Sequence, residues 1–339
     1  MSEERKKVLV VGAGGFAGGF ICEEGLKRGF EVWAGVREST SRRYLNDGRL
    51  NFVIFDFDNP DLLSKALSSA LPEGEKWDYI VYNLGATKCV NFMDFNKINY
   101  LYLQDFCHAL QQSGKVPEKM VYISSLSAMG PGDEQGYKPF TEKQIPLPNT
   151  RYGASKLKAE MFLAASDLPV VVLRPTGIYG PRDRDYFLMF DSIRKGFDFS
   201  VGYKKQLLSF IYVEDLARAA YDALEKGKIK ETYIVGEPRV YTQKEFRKIA
   251  SDTICKKLVV PLRLPLWIVR AVSKVAEKIG VARGKPSTLN SDKFKIMAQR
   301  NWNLDVSKAS SEFGFTAEIP LAEGVKRAVE WYKREGWLK

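Results

Sequence analysis

The 339-residue chain has little of the side chains that build metal centres and disulfide frameworks. It holds one histidine, His108, and four cysteines at positions 22, 89, 107 and 255, with no CxxC pair. One histidine excludes a multi-histidine metal site and leaves a Ser-His-Asp triad a single possible base. We interpret His108 as an ordinary residue on the face of an amphipathic helix, and we expect no metal. Sparse, unpaired cysteines are typical of a reducing compartment.

Long apolar runs are also missing. The most apolar stretch is interrupted by Pro261, Arg263, Pro265 and Arg270, so no segment approaches the ~20 residues needed to span a bilayer. The first seven residues are polar and lack the apolar core of a signal peptide. With 45% hydrophobic and 27% charged residues, the composition is that of a globular protein, and we expect a cytoplasmic one.

Positive charge is concentrated in one part of the chain. The 52 basic and 41 acidic residues give a net charge of +11. The segment 256–308 alone holds twelve basic and three acidic residues, a net of +9, which leaves +2 for the rest. Such a field suggests an anionic partner, either a phosphorylated substrate, a lipid surface or nucleic acid, while a solvated basic face remains open. Because no nucleic-acid-binding motif accompanies the charge, we expect no nucleic acid.

Strand and helix patterns alternate through the first half of the chain. Strands are predicted at 7–11, 31–36, 51–55, 78–82, 120–124 and 170–173, with helices between them, notably at 96–112 and 152–166. This alternation indicates an α/β fold, a Rossmann-type doubly wound parallel sheet. Ligands then bind beyond the carboxyl ends of the strands.

The regular alternation ends after Pro175. Helices are predicted at 186–195, 213–226, 243–255, 266–279 and 321–332, with a short strand at 232–235. We therefore expect a nucleotide-binding domain over residues 1–175. A smaller, mostly helical substrate region over 176–339 is expected to be partly interleaved with the sheet.

A glycine-rich turn follows the first strand directly. It contains GxxGxxG at Gly12, Gly15 and Gly18, with Phe16 inside the motif. Glycines let the backbone turn tightly and approach a pyrophosphate, and the following helix points its free N–H groups at the phosphates. Placed after an apolar strand and opening a helix, the motif predicts a dinucleotide site.

The residues after the second strand bear on the choice of dinucleotide. An NAD site usually places a carboxylate there for the ribose 2′-hydroxyl, while an NADP site uses arginine. Here Val36 takes the carboxylate position and Arg37 follows, with Arg42 or Arg43 able to assist. The sequence therefore favours NADP over NAD, against the alternative of a solvent-facing arginine.

An acid–base pair is predicted from Tyr152 and Lys156, which form the only YxxxK in the chain. On a helix these residues share a face, and the lysine is expected to lower the pKa of the phenol from about 10. Tyr152 would then exchange protons near neutral pH. Ser125, which follows the fifth strand, is expected to donate a hydrogen bond to the substrate oxygen, with Ser124 as the fallback.

With these residues in place, the chain resembles the extended short-chain dehydrogenases/reductases, the NAD-dependent epimerase/dehydratase superfamily. The likeness covers nearly the whole chain. It includes the glycine turn, Tyr152 with Lys156, and the segments at 56–57, 83–86, 99, 125, 174–181 and 210–217. The Val36-Arg37-Glu38 turn is similar to that of the dihydroflavonol-reductase-like and 3β-hydroxysteroid-dehydrogenase-like branch.

The resemblance implies a role for each matching position. Tyr152 is implied to be the acid/base, with Ser125 and Lys156 as its catalytic partners. The implied cofactor contacts are Gly12, Gly15, Phe16 and Gly18 at the pyrophosphate, Arg37 at the 2′-phosphate, Asp56 and Phe57 at the adenine, Ala86 in the groove, Lys156 at the nicotinamide ribose, and Pro175 and Ile178 at the nicotinamide. Family members are often dimers, so the resemblance also implies a homodimer.

Departures from the family pattern narrow the chemistry. Sugar-nucleotide dehydratases of the family carry Asp-Glu directly after the catalytic hydroxyl, where this chain has Leu126 and Ser127. Met129 stands where the family usually has an aromatic residue before Gly130, which affects one wall of the substrate site. Dehydration is therefore not expected.

Three functions remain open from the sequence. The leading one is an NADP-dependent reductase or dehydrogenase that interconverts a ketone and a secondary alcohol. The apolar and basic segment 258–279 suggests a large apolar or lipid-like substrate and peripheral membrane contact, while a core helix with a basic outer face is the alternative. The runner-up is a nucleotide-sugar epimerase, and the non-enzymatic alternative is a cofactor-sensing scaffold.

Overall fold

Thirteen strands are present in the computed structural model, which describes residues 5–338. They are β1 (Lys7–Val11), β2 (Glu31–Val36), β3 (Asn51–Ile54), β4 (Tyr79–Tyr82), β5 (Lys119–Ile123), β6 (Val170–Pro175), β7 (Gly177–Tyr179), β8 (Phe197–Val201), β9 (Leu207–Leu208), β10 (Phe210–Tyr212), β11 (Thr232–Val235), β12 (Tyr241–Thr242) and β13 (Val260–Leu264). Residues 1–4, where the first expected domain starts, and residue 339, where the second ends, lie outside the described residues.

Twelve α-helices accompany these strands within the described residues. They are α1 (Phe16–Lys27), α2 (Pro60–Ser69), α3 (Phe92–Asn96), α4 (Tyr102–Gln112), α5 (Arg151–Ala165), α6 (Asp185–Arg194), α7 (Val213–Lys226), α8 (Gln243–Ile254), α9 (Leu266–Ala282), α10 (Ser291–Ala298), α11 (Ser307–Phe313) and α12 (Leu321–Arg334). A π-helical turn (Lys97–Leu101) joins α3 to α4, and a 3₁₀ turn (Leu126–Ala128) follows β5.

The central sheet has seven parallel strands in the order β11-β6-β5-β4-β1-β2-β3. Helices α1 and α7 cover one face and helices α2, α4 and α5 the other, each over a buried apolar cluster. The predicted α/β fold with a doubly wound parallel sheet is confirmed. The predicted strand at 232–235 is β11, which completes the seven-stranded sheet at its edge beside β6.

The strand order reverses between β1 and β4. From β1 the chain continues outward through β2 and β3, then returns to place β4 on the other side of β1. A crevice opens at such a switch point beyond the carboxyl ends of the strands. The glycine turn after β1 and the segment after β4 both lie at this crevice.

The remaining chain builds three two-stranded sheets and a second apolar core. β7 pairs with β10, β9 with β12, and β8 with β13. An aromatic-rich cluster buries residues of α6, α8 and α12 against β7 and β10. No helix in residues 5–338 is both long enough and apolar enough to cross a bilayer.

Candidate functional site

The glycine turn is shaped by backbone contacts that leave no room for side chains. Gly12 has φ +82°, and a Cβ atom there would lie 2.8 Å from the Leu84 nitrogen. A Cβ atom on Gly18 would lie 2.3 Å from the Gly12 carbonyl oxygen, so helix α1 packs directly on the turn. Gly15 precedes α1 and is exposed, and the described residues supply neither a side-chain cap nor a first-turn acid. The free N–H groups at this positive helix end fit a dinucleotide pyrophosphate.

Three arginines follow β2, and the structure distinguishes them. Arg43 forms an ion pair with Glu335 at 2.9 Å, and the Arg42 guanidinium lies over the Phe52 ring at 4.5 Å. Arg37 comes directly after β2 and is exposed, and its guanidinium makes neither a hydrogen bond nor an ion pair with any residue from 5 to 338. Within residues 5–338, Arg37 and Arg42 therefore both keep guanidinium N–H groups without an internal acceptor, and Arg37, directly after β2, also lies close enough to the Asp58 carboxylate to interact with its charge.

Asp56 and Phe57 follow β3, at the expected place for an adenine contact. Asp56 is exposed, and its carboxylate accepts a hydrogen bond from the Asp58 amide at 3.0 Å. The Phe57 ring is only 4% exposed and packs against Phe55 and Tyr102 within the core. The Asp56 side chain is therefore open to solvent just after β3, whereas the buried ring of Phe57 leaves only its backbone for a ligand contact.

The phenol of Tyr152 meets the hydroxyl of Ser125. Helix α5 begins at the Thr150 cap, whose hydroxyl accepts the Gly153 amide at 3.0 Å, and this places Tyr152 in the first turn. Burial raises the pKa of Tyr152, while its hydrogen bond with Ser125 lowers it. The Ser125 hydroxyl also accepts the Ser127 amide at 3.1 Å, which orients it at the end of β5.

Ser124 is occupied elsewhere. Its buried hydroxyl donates a hydrogen bond to Glu160, and Glu160 forms a buried ion pair with Arg174 at 2.6 Å. Successive side chains of extended backbone point to opposite sides, and the two serines just after β5 have different neighbours. Ser125 lies against Tyr152, whereas Ser124 belongs to a polar network inside the fold.

Lys156 lies one helical turn after Tyr152 and is 3% exposed. Its ammonium donates a hydrogen bond to the Ile123 carbonyl oxygen at 2.8 Å and lies over the Tyr122 ring at 4.6 Å. Burial lowers the pKa of Lys156 to about 7, with Glu160 acting in the opposite direction.

The expectation that Lys156 makes the Tyr152 phenol more acidic is wrong for this structure. The pKa of Tyr152 is raised, because burial disfavours the phenolate more than its hydrogen bond with Ser125 favours it. Lys156 is itself buried, and its lowered pKa means that it carries less positive charge at neutral pH than an exposed lysine would.

Asn99 ties the segment after β4 to helix α5. It lies in the π-helical turn, a distortion that often occurs at functional sites. Its carbonyl oxygen accepts the Ala86 amide at 2.7 Å, and its amide nitrogen donates to the Ala86 carbonyl at 3.1 Å and to Ser155 at 2.8 Å. These bonds hold Ala86 at the crevice, close to the catalytic helix.

Pro175 and Ile178 lie where β6 ends. Pro175 is buried as the last residue of β6, and Ile178 is half-buried in β7, which pairs with β10. Both residues lie at the carboxyl end of β6, the strand next to β5, and therefore on the same side of the crevice as Ser125.

Asp292 is a site residue that sequence reasoning missed. It is 5% exposed on α10, and its Oδ2 accepts the backbone N–H of Tyr152 at 3.1 Å. Its Oδ1 is buried and has no hydrogen-bond partner among residues 5–338. The neighbouring Lys293 pairs at 3.3 Å with Asp185, which also pairs with Lys88 after β4. Helix α10 thus contacts the first turn of α5.

Comparison with known proteins gives the family. The family model described as "NAD dependent epimerase/dehydratase family" matches residues 8–236. The chain belongs to this family. It is an NAD(P)-dependent enzyme of the extended short-chain dehydrogenase/reductase type.

Relatives of nearly full length carry different names. The chain is 23% identical to the ceramide reductase of Caulobacter vibrioides over 340 residues, which cover 99% of this chain and 98% of that protein. It is 26% identical over 353 residues to a Synechocystis protein provisionally named dihydroflavonol 4-reductase, covering 98% and 96%. The solved structure of Bordetella bronchiseptica WbmG with NAD and UDP superposes with a TM-score of 0.76 at 20% identity, covering 99% of this chain and 97% of that one.

Proposed function

We propose that the protein is an NADP-dependent oxidoreductase that interconverts a ketone and a secondary alcohol. In the reducing direction a ketone, NADPH and a proton give an alcohol and NADP⁺. The dinucleotide, when bound, supplies the hydride. Tyr152 gives the proton to the carbonyl oxygen, and Ser125 donates a hydrogen bond to that oxygen as negative charge develops on it.

The observation that supports this proposal is the contact between Tyr152 and Ser125 just after β5, with Lys156 one helical turn further along α5. The phenol has a raised pKa, so it holds a proton at neutral pH. Lys156 points at the same edge of the sheet, because its ammonium bonds the last residue of β5. There it would hold the nicotinamide ribose. Gly12, Gly15, Phe16 and Gly18 would hold the pyrophosphate.

Reduction is favoured over elimination by the two positions after Ser125. Leu126 is 1% exposed and packs in a small apolar cluster with Met129 and Phe140. An elimination needs a second acid–base pair beside the substrate, and Leu126 and Ser127 do not provide one.

Arg37 supports the choice of NADP. A guanidinium without internal hydrogen bonds is suited to a 2′-phosphate, which it binds with paired hydrogen bonds. We expect Arg37→Ala to raise the KM for NADPH about tenfold or more, as expected for the loss of a charge-assisted bond of ~1.5–3 kcal/mol. The KM for NADH should change little. Arg43→Ala is the matched control, and equal losses with both cofactors would contradict the assignment.

A large apolar substrate, such as a long-chain lipid ketone, is the substrate class we propose. Two observations support it: the full-length similarity to a relative named ceramide reductase, and the exposed apolar side chains of 258–279. A lipid substrate also gives a reason for the predicted membrane contact of this segment, since lipids reach an enzyme from a bilayer.

Nucleotide-sugar epimerisation is the second candidate, favoured by the fold similarity to WbmG, which was solved with NAD and UDP. The two functions differ in cofactor consumption. A ketone reductase consumes one NADPH per product molecule, whereas an epimerase returns the cofactor to its starting state.

The test is NADPH oxidation with sphingoid-type lipid ketones, a flavonoid ketone and nucleotide sugars. We expect stoichiometric oxidation with a lipid ketone. Tyr152→Phe should lower the rate by ~100-fold or more, because general acid catalysis is worth that much. Tyr79→Phe, at the amino end of β4 and therefore at the opposite edge of the sheet from the crevice, is the control. Nucleotide-sugar conversion without NADPH loss would establish the epimerase instead.

A further inference from the structure

Exposed apolar side chains are concentrated in two short segments that adjoin in the C-terminal part of the structure. Among residues 5–338, eleven of the twenty-one exposed large apolar side chains lie in the short segments 197–203 and 258–281. Single exposed apolar residues are ordinary on a protein surface, but a contiguous group marks an interaction site.

Helix α9 supplies a stripe of this surface. Val269 and Ser273 are buried and form its inner side. Ile268, Val272, Val275 and Ile279 follow the spacing i, i+4, i+7 and i+11, which places them along one other side of the helix. Val272, Val275 and Ile279 are 50%, 58% and 46% exposed, and Trp267 at the start of the helix is 71% exposed.

The small sheet of β8 and β13 continues the surface. Phe197 lies opposite Val260 and Phe199 opposite Leu262, so these four side chains share one side of the sheet. Phe197 and Phe199 are 44% and 49% exposed. Gly202, just after β8, lies against the side chain of Leu266 at the start of α9, so the sheet and the helix adjoin. We call the exposed side of α9, β8 and β13 the apolar face.

Cations without internal partners flank the apolar face. Arg270, Lys274 and Lys278 are spaced four residues apart along α9, beside the apolar stripe. None of the three forms an ion pair or a side-chain hydrogen bond within the described part of the chain. The only acid of α9, Glu277, forms an ion pair with Arg151 at 3.2 Å and accepts hydrogen bonds from Ser291. It therefore does not neutralise the row of cations.

We propose that the apolar face docks on the surface of an anionic lipid bilayer. An apolar stripe beside a row of cations is the pattern of a helix that lies in the membrane interface, with its apolar side among acyl chains and its cations at anionic headgroups. A second copy of the chain fits less well. A two-fold interface places the same patch on both partners, and here it would bring unpaired cations close to unpaired cations. The proposal goes beyond the proposed reaction, because binding to vesicles is measured without substrate or cofactor.

The test is sedimentation of the full chain with phosphatidylcholine vesicles, with and without phosphatidylglycerol. We expect binding to the anionic vesicles. Val275→Asp with Ile279→Asp should weaken it at least about tenfold, because apolar burial is lost and negative charge is added. The matched control, Leu62→Asp with Ile229→Asp, changes two equally exposed apolar residues elsewhere and should bind like the wild type.

Two further variants separate insertion from simple charge attraction. Replacing Arg270, Lys274 and Lys278 with glutamine should weaken binding to anionic vesicles about a hundredfold, at ~1 kcal/mol per charge. Vesicles should shift the tryptophan fluorescence to shorter wavelength, and Trp267→Phe should remove this shift while binding persists.

Three results would overturn the proposal. One is the absence of binding to anionic vesicles at low ionic strength. Another is binding that the aspartate pair at 275 and 279 leaves unchanged, since this side of α9 then does not touch the bilayer. The third is a dimer that this aspartate pair splits into monomers, together with no vesicle binding, since a second copy then covers the face.

Discussion

Replacing Lys156 with methionine is expected to stabilise the protein freed of dinucleotide while abolishing its activity. Burial lowers the pKa of Lys156 from 10.5 to about 7. At ~1.4 kcal/mol per pH unit, charging this amine costs the folded state about 4 kcal/mol at pH 7. Methionine removes that cost and gives up the hydrogen bond to the Ile123 carbonyl and the cation–π contact with Tyr122, each worth ~1 kcal/mol. The expected gain is about 2 kcal/mol.

The gain should shrink as the pH rises. Between about pH 7 and pH 10.5 the folded protein binds fewer protons at Lys156 than the unfolded chain does, so wild-type stability increases with pH over this range. At pH 9 the cost of the buried amine is about 2 kcal/mol and the neutral amine makes no cation–π contact, so the net advantage of Lys156→Met falls to ~1 kcal/mol.

Urea unfolding of the two proteins at pH 7 and pH 9 measures this difference. Lys158→Met, two residues further along α5 and exposed, is the control and should change stability by ~0.5 kcal/mol or less at either pH. A Lys156→Met protein that is less stable than the wild type, or whose stability difference does not depend on pH, would contradict this prediction.

Two other substitutions test the surroundings of the site. Asp292→Asn weakens the acceptor of the Tyr152 backbone N–H. We expect kcat to fall about tenfold, because the acid is displaced, while the KM for NADPH and the unfolding temperature stay nearly unchanged. A change in KM alone would argue against a positioning role for Asp292. Glu160→Ala leaves Arg174 buried and unpaired and should lower the free energy of unfolding by ~3–5 kcal/mol. Glu118→Ala, which breaks an exposed pair with Lys6, should lower it by ~1 kcal/mol or less, and equal effects would contradict the account of the buried pair.

The fold could be predicted because the central strands are continuous apolar runs, which helices bury on both faces of the sheet. β1 and β2 begin and end where predicted, and β5 is displaced by one residue toward the N-terminus, at 119–123 instead of 120–124. The short strands β8 and β13 were missed, because each is paired with a segment about 60 residues away and buries little of its apolar surface. The helix predicted at 96–112 begins earlier, at Phe92, and contains a π-helical turn that periodicity did not reveal.

The residues of the site were easier to predict than their energetics. The spacing of Tyr152 and Lys156 predicted that both lie on one helix, and the end of the fifth strand predicted Ser125, which the structure places against Tyr152. The direction of the Tyr152 pKa could not be obtained this way, because it depends on burial, which spacing does not report. Asp292 was missed because it is one of only three acids in a basic segment, in no recognisable motif, and only the packing of α10 brings it to helix α5.

Deuterium transfer from the cofactor tests the central claim most directly. The protein is incubated with a long-chain lipid ketone and NADPH labelled at the transferable C4 position, and the product is analysed by mass spectrometry. The account predicts one deuterium on the carbinol carbon and one NADP⁺ for each alcohol formed. A product without deuterium, formed with no NADP⁺, would contradict it.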